Sequence, residues 1–89
     1  MMIYRRTHRY NARKLAILSA MAKADRPVSY REVAIAVGIF PIRQVARDLQ
    51  RYVSFGIVQR RKMGRRSAYS YSLTQKGKER TAWLKRTVK

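Results

Sequence analysis

The chain has 89 residues, enough for one domain, and carries 22 Lys and Arg against four acids, for a net charge of +18 at pH 7 and a pI near 11.6. A hydrophobic fraction of 46% allows a modest core and excludes global disorder, while so one-sided a charge repels itself and calls for a polyanionic partner. The lack of Cys excludes disulfides and thiolate metal sites.

Residues 1–11 read as a basic, aromatic arm containing Tyr4, Arg5, Arg6, His8, Arg9 and Tyr10. Asn11 then offers an N-cap for a helix from Ala12 to Ala24, with Leu15, Leu18, Met21 and Ala22 at helical spacing and Ile17 beside the stripe. Arg13-Lys14 before this apolar run superficially mimics a secretion signal. The run is at the short limit for one, and the core needs that helix, so retention is expected. No run is long enough to span a bilayer. Asp25-Arg26-Pro27 ends the helix, because Pro disfavours helical backbone in the residue before it.

Val28 suits a strand of one or two residues. Ser29 and Glu32 then fit a capping box, in which each side chain bonds the backbone N–H of the other residue's position. The helix they open runs to Val37, buries Val33, Ala34 and Val37, and stops at Gly38. After a turn through Ile39 and Phe40, Pro41 suits the first position of a third helix. Ile42, Val45, Ala46, Leu49, Tyr52 and Val53 mark its apolar face; Arg43, Gln44, Arg47, Gln50 and Arg51 mark the polar one. Gly56 stops it. Ile57–Lys62 and Ala68–Leu73 read as paired strands around Gly64, with Tyr69, Tyr71 and Leu73 alternating against Ala68, Ser70 and Ser72. Thr74 caps a last helix over Gln75–Val88, edged by Trp83, Leu84 and Val88. The expected fold is α+β and mainly helical, a winged helix-turn-helix in the order α-β-α-α-β-β-α, with residues 12–89 forming the domain behind the arm.

Val45-x3-Leu49-x6-Gly56-Ile57-Val58, a basic hairpin through Gly64, and Leu73-Thr74-x2-Gly77 together resemble the winged-helix regulators of the ArsR, MarR and PadR type, over about Ala12 to Thr81. Phe40-Pro41 stands where those families carry Ser or Thr at the recognition-helix cap. The resemblance implies DNA binding and a homodimer formed through the terminal helices, around Trp83 and Leu84. The same two residues could instead cover the core. Metal sensing is not carried over, since relatives with that activity use Cys or several His.

In a helix-turn-helix the N-terminal half of the second helix meets base edges in the major groove. Arg43, Gln44 and Arg47 lie there, and Arg and Gln suit guanine and adenine edges respectively. Gln50 and Arg51, further along, suit backbone contact. Each could equally belong to an ordinary solvated face. Asp48 is expected to pair with Arg51 one turn on. Arg60, Arg61, Lys62, Arg65 and Arg66 crowd the hairpin, more cations than a protected strand edge needs; Arg65 and Arg66 at the tip are best placed for phosphate or minor groove. Arg5, Arg6 and Arg9 of the arm could enter a minor groove, and Arg13 could touch phosphate. Tyr52, Tyr69, Tyr71 and Phe55 suit packing, though their alternation would also suit base stacking.

The four scattered acids and a lone His build no catalytic centre, and no Gly-rich phosphate loop is present. No enzyme activity, cofactor or metal is expected. The first reading is a cytoplasmic, nucleoid-associated regulator that binds double-stranded DNA. An architectural DNA-coating protein and a ribosome- or RNA-associated winged helix are the alternatives.

Overall fold

A computed structural model of the protein describes the backbone of residues 2–63 and 68–87, and the side chains of residues 10–62 and 69–87. Within these, four helices and one hairpin follow in the order α1 (Met2–Ala24), α2 (Tyr30–Val37), α3 (Ile42–Ser54), β1 (Val58–Met63), β2 (Ala68–Leu73) and α4 (Gln75–Thr87). The fold is mainly helical α+β.

The first helix begins at Met2, not Ala12, so residues 2–11 continue it and Asn11 lies inside it. No Gly or Pro interrupts residues 2–24, and nothing local halts propagation toward the N-terminus. The boundary expected at residues 11 and 12 is therefore no break in secondary structure. Ile17, Leu18 and Met21 form the buried stripe, while Ala22 is exposed. The stripe is turned from its expected position because α1 packs against both α2 and α4.

Both ends of α2 are fixed by local chemistry. Ser29 Oγ accepts from Glu32 N at 3.2 Å, Ser29 N donates to Glu32 Oε1 at 3.3 Å, and Gly38 closes the helix at φ 70°. Val33 and Ala34 are buried, with Val37 half-buried. Pro41 is the N-cap of α3 instead of its first helical residue: its backbone is extended at ψ 151°, while its carbonyl already accepts from Gln44 N at 3.0 Å.

The hairpin ladder starts at Val58, one residue later than the alternation suggests, because the Ile57 backbone is already engaged. Its N–H donates to Tyr52 O and its carbonyl accepts from Thr74 N. Val58 faces Leu73, Arg60 faces Tyr71, and Lys62 faces Tyr69 across the antiparallel pair. Val28 adds the short third strand: it exchanges hydrogen bonds of 2.9 and 2.8 Å with Tyr71 on the free side of β2. Val28, Val58 and Tyr71 turn into the core with Ile17, Leu49 and Leu84.

The start of α4 locks onto the corner between α3 and β1. Thr74 Oγ1 accepts from Gly77 N at 3.0 Å and donates to Gly56 O at 2.6 Å. A Cβ on Gly77 would stand 1.9 Å from Ile57 O, so only glycine permits this approach. Leu84 is buried, and Trp83 is 42% exposed with the Arg80 guanidinium 5.2 Å from its ring. Val88 lies outside the described residues.

Candidate nucleic-acid interface

The second helix of the α2–turn–α3 unit is sharply two-faced. Val45, Leu49 and Tyr52 are buried behind it, and Arg43, Gln44, Arg47, Gln50 and Arg51 are all exposed in front. Among the described residues, the ion pairs are Arg13–Asp48 and Arg26–Glu32. Arg43, Arg47 and Arg51 therefore have no acidic partner there, and their charge faces solvent undiminished.

Asp48 does not pair with Arg51. Its Oδ2 lies 2.5 Å from Arg13 Nη2, on the α1 side of the helix, and the carboxylate is mostly shielded from water. Its own helix places it nearer the buried stripe than the polar face, and α1 supplies the cation there. This corrects the expected Asp48–Arg51 pair. The Arg13 guanidinium, expected to touch phosphate, is paired with Asp48 while its side chain stays 37% exposed. The acid, in turn, is withdrawn from the open face of α3.

Strand alternation divides the hairpin cations. Arg60 and Lys62 share a face with Tyr69 and Tyr71, and the Arg60 guanidinium lies 4.5 Å from the Tyr69 ring centroid. Burial pushes the Tyr71 phenol pKa up, partly opposed by Arg60. Arg61 turns to the other face with Gln59, Ser70 and Ser72. Arg65 and Arg66, read as the tip contacts, lie outside the described residues. The side chains of Arg5, Arg6 and Arg9 also lie outside them, although the backbone carrying them is helical.

Two features escaped the sequence reading. Arg31, exposed on the first turn of α2, lines a groove with Tyr30, Pro41 and Arg43, so it extends the cationic surface beyond α3. Its position between the two capping-box residues carries no periodic or compositional signal of its own. Lys14 stands among three rings, with its Nζ 5.4, 5.5 and 5.2 Å from the centroids of Tyr10, Tyr52 and Phe55. Burial, and then nearby Arg80, lowers its pKa. The Tyr10–Lys14 spacing of one helical turn was a readable signal; the two rings from the end of α3 were not. Burial also pushes the Tyr52 phenol strongly upward, so it stays protonated and neutral against the core.

Among the described residues, no group of three His, Asp or Glu side chains could hold a metal ion, and no helix is long and apolar enough to cross a membrane.

The fold is similar to that of YodB from B. subtilis, seen in a crystal structure of the diamide-treated protein. The TM-score is 0.66 and the identity 20%, over 81% of this chain and 70% of that one. No protein-family model and no curated protein matches the sequence.

Proposed function

We propose that the chain is a winged helix-turn-helix protein that binds double-stranded DNA and acts as a transcriptional regulator. One observation carries this reading: α3 presents Arg43, Arg47 and Arg51 on an open face, while its one acid is tied to Arg13 behind it. A solvated surface helix in an ordinary domain mixes its charge signs, whereas this face is cationic throughout. In the proposed complex α3 enters the major groove, with Arg43, Gln44 and Arg47 toward base edges and Gln50 and Arg51 toward backbone. The hairpin cations Arg60, Arg61 and Lys62, with Arg65 and Arg66 at the tip, take phosphates or the minor groove. Arg5, Arg6 and Arg9 extend the same contact from the start of α1. The fold likeness to YodB supports the architecture. Exposed Trp83 on α4 is the proposed centre of a homodimer contact.

Selection of bound fragments from a random duplex pool, with structured RNA as competitor, tests the reading. A two-fold related motif is expected. Arg47→Ala should then relax preference at one base pair, at a cost of about 1–3 kcal/mol. Equal retention of every duplex would favour an architectural coat, the role suggested by a net charge of +18. Displacement by the RNA would favour a ribosome-associated one.

A further inference from the structure

We propose that the outer face of the hairpin is a phosphate-binding site built by Arg61, Ser70, Ser72 and Gln59. This deepens the nucleic-acid reading but does not depend on α3. The strand register sets Gln59 opposite Ser72 and Arg61 opposite Ser70, so all four side chains share the face turned away from Val58 and Tyr71. Pro27, next to the Val28 bridge, closes the hollow on the far side of β2. The floor therefore spans three strand segments and encloses about 380 Å³, room for a tetrahedral oxyanion with several waters.

The donor chemistry fits an anion. Two serines in alternate positions leave the floor low, and Arg61 forms the cationic wall. Gln59 Nε2 donates to Ser72 Oγ at 3.1 Å. With an acceptor site on that oxygen filled, the Ser72 hydroxyl hydrogen is left to donate outward. The Ser70 side chain lines the same hollow although the residue is 8% exposed. Arg60 also lines the hollow, but its guanidinium turns to the opposite face, over Tyr69, so Arg61 is the guanidinium that meets the ligand. No acidic side chain lines the hollow. A guanidinium fork with two hydroxyls supplies donors from several directions, which suits the two non-bridging oxygens of a phosphodiester or the three of a terminal phosphate. The phosphate could be a backbone phosphodiester of nucleic acid or a group on a small phosphorylated molecule.

The test is titration of the full chain with pyrophosphate, followed by amide chemical shifts, in wild type, a Ser70→Ala/Ser72→Ala double variant and Arg61→Gln. Saturable shifts centred on Gln59, Arg61, Ser70 and Ser72 are expected, with affinity about fivefold weaker in either variant, as the loss of one or two hydrogen bonds implies. Arg61 is exposed, so its variant gives the readout even if the double variant fails to fold. Unsaturated shifts spread over all cationic surfaces, or variant affinity equal to wild type, would overturn the site. A short DNA duplex distinguishes the ligand's source. A matching loss of duplex affinity assigns the site to nucleic-acid backbone; unchanged duplex affinity with a lost pyrophosphate response assigns it to a small ligand. Failure of Arg47→Ala to change base preference would sink the α3 reading and leave the pyrophosphate result standing.

Discussion

Helix α2 carries a reciprocal Ser29–Glu32 cap at one end and left-handed Gly38 at the other, whereas α3 starts from Pro41 with no side-chain cap and leans on Val45, Leu49 and Tyr52. The shorter helix is defined by its ends and the longer by its back. The contrast suits their positions. An eight-residue helix is too short to persist on propensity, so local hydrogen bonds hold it. A helix whose front is open must take its stability from its buried side.

The sharpest way to break the contrast is Leu49→Ala. Leu49 is fully buried, and the truncation should cost about 2–5 kcal/mol in a denaturant titration. A loss below that of a cap substitution would show that α3 does not depend on its back. Ser29→Ala comes next and should cost about 1 kcal/mol, since it leaves an N-terminal donor of α2 without its partner. Glu32→Gln should have the smallest effect, and one that depends on pH. A hydrogen bond from Arg26, reinforced by the Ser29 backbone, holds the Glu32 carboxyl below its usual value of 4.5. As pH falls, the unfolded chain takes up this proton before the folded one does. The stabilisation is therefore present above about pH 4.5 and is lost as pH drops through the lower folded value. Thermal melts of wild type and Glu32→Gln should differ near neutrality and converge in acid; a gap that stays constant into acid would rule out this linkage.

The same contrast explains what could be read from the sequence. The ends of α2 were legible because capping is local: Ser29 and Glu32 act three residues apart, and Gly38 bonds back to Ala34. The two-faced pattern of α3 and the alternation of Tyr69 and Tyr71 were legible because one buried side leaves a periodic trace. Contacts between distant segments left none. Asp48 had a plausible partner three residues away in Arg51, and nothing in the order of residues favours Arg13, 35 positions earlier, which the fold brings to it. Asn11 is a competent cap that the chain does not use, because the helix already runs through it. Gly77 belonged to a familiar-looking Leu-Thr-x-x-Gly string, but its reason is Ile57 O pressed against its α-carbon. Of the candidate site, the open face of α3 was visible in advance. The phosphate hollow was not, since it needs the strand register and Pro27 from before α2.

The exchange of hydrogen bonds between Val28 and Tyr71 has a mechanical meaning. It rivets the hairpin, midway along β2, to the connector between the first two helices. Beyond that rivet, toward Met63 and Ala68, β1 is the one hydrogen-bonded neighbour of β2 among the described residues, with Tyr69 still resting on the core. The outer end of the hairpin is thus a cantilever, and Tyr71 is its fulcrum. A load applied to the outer hairpin would be delivered to the start of α2, whose Tyr30 and Arg31 share a groove with Arg43 of α3.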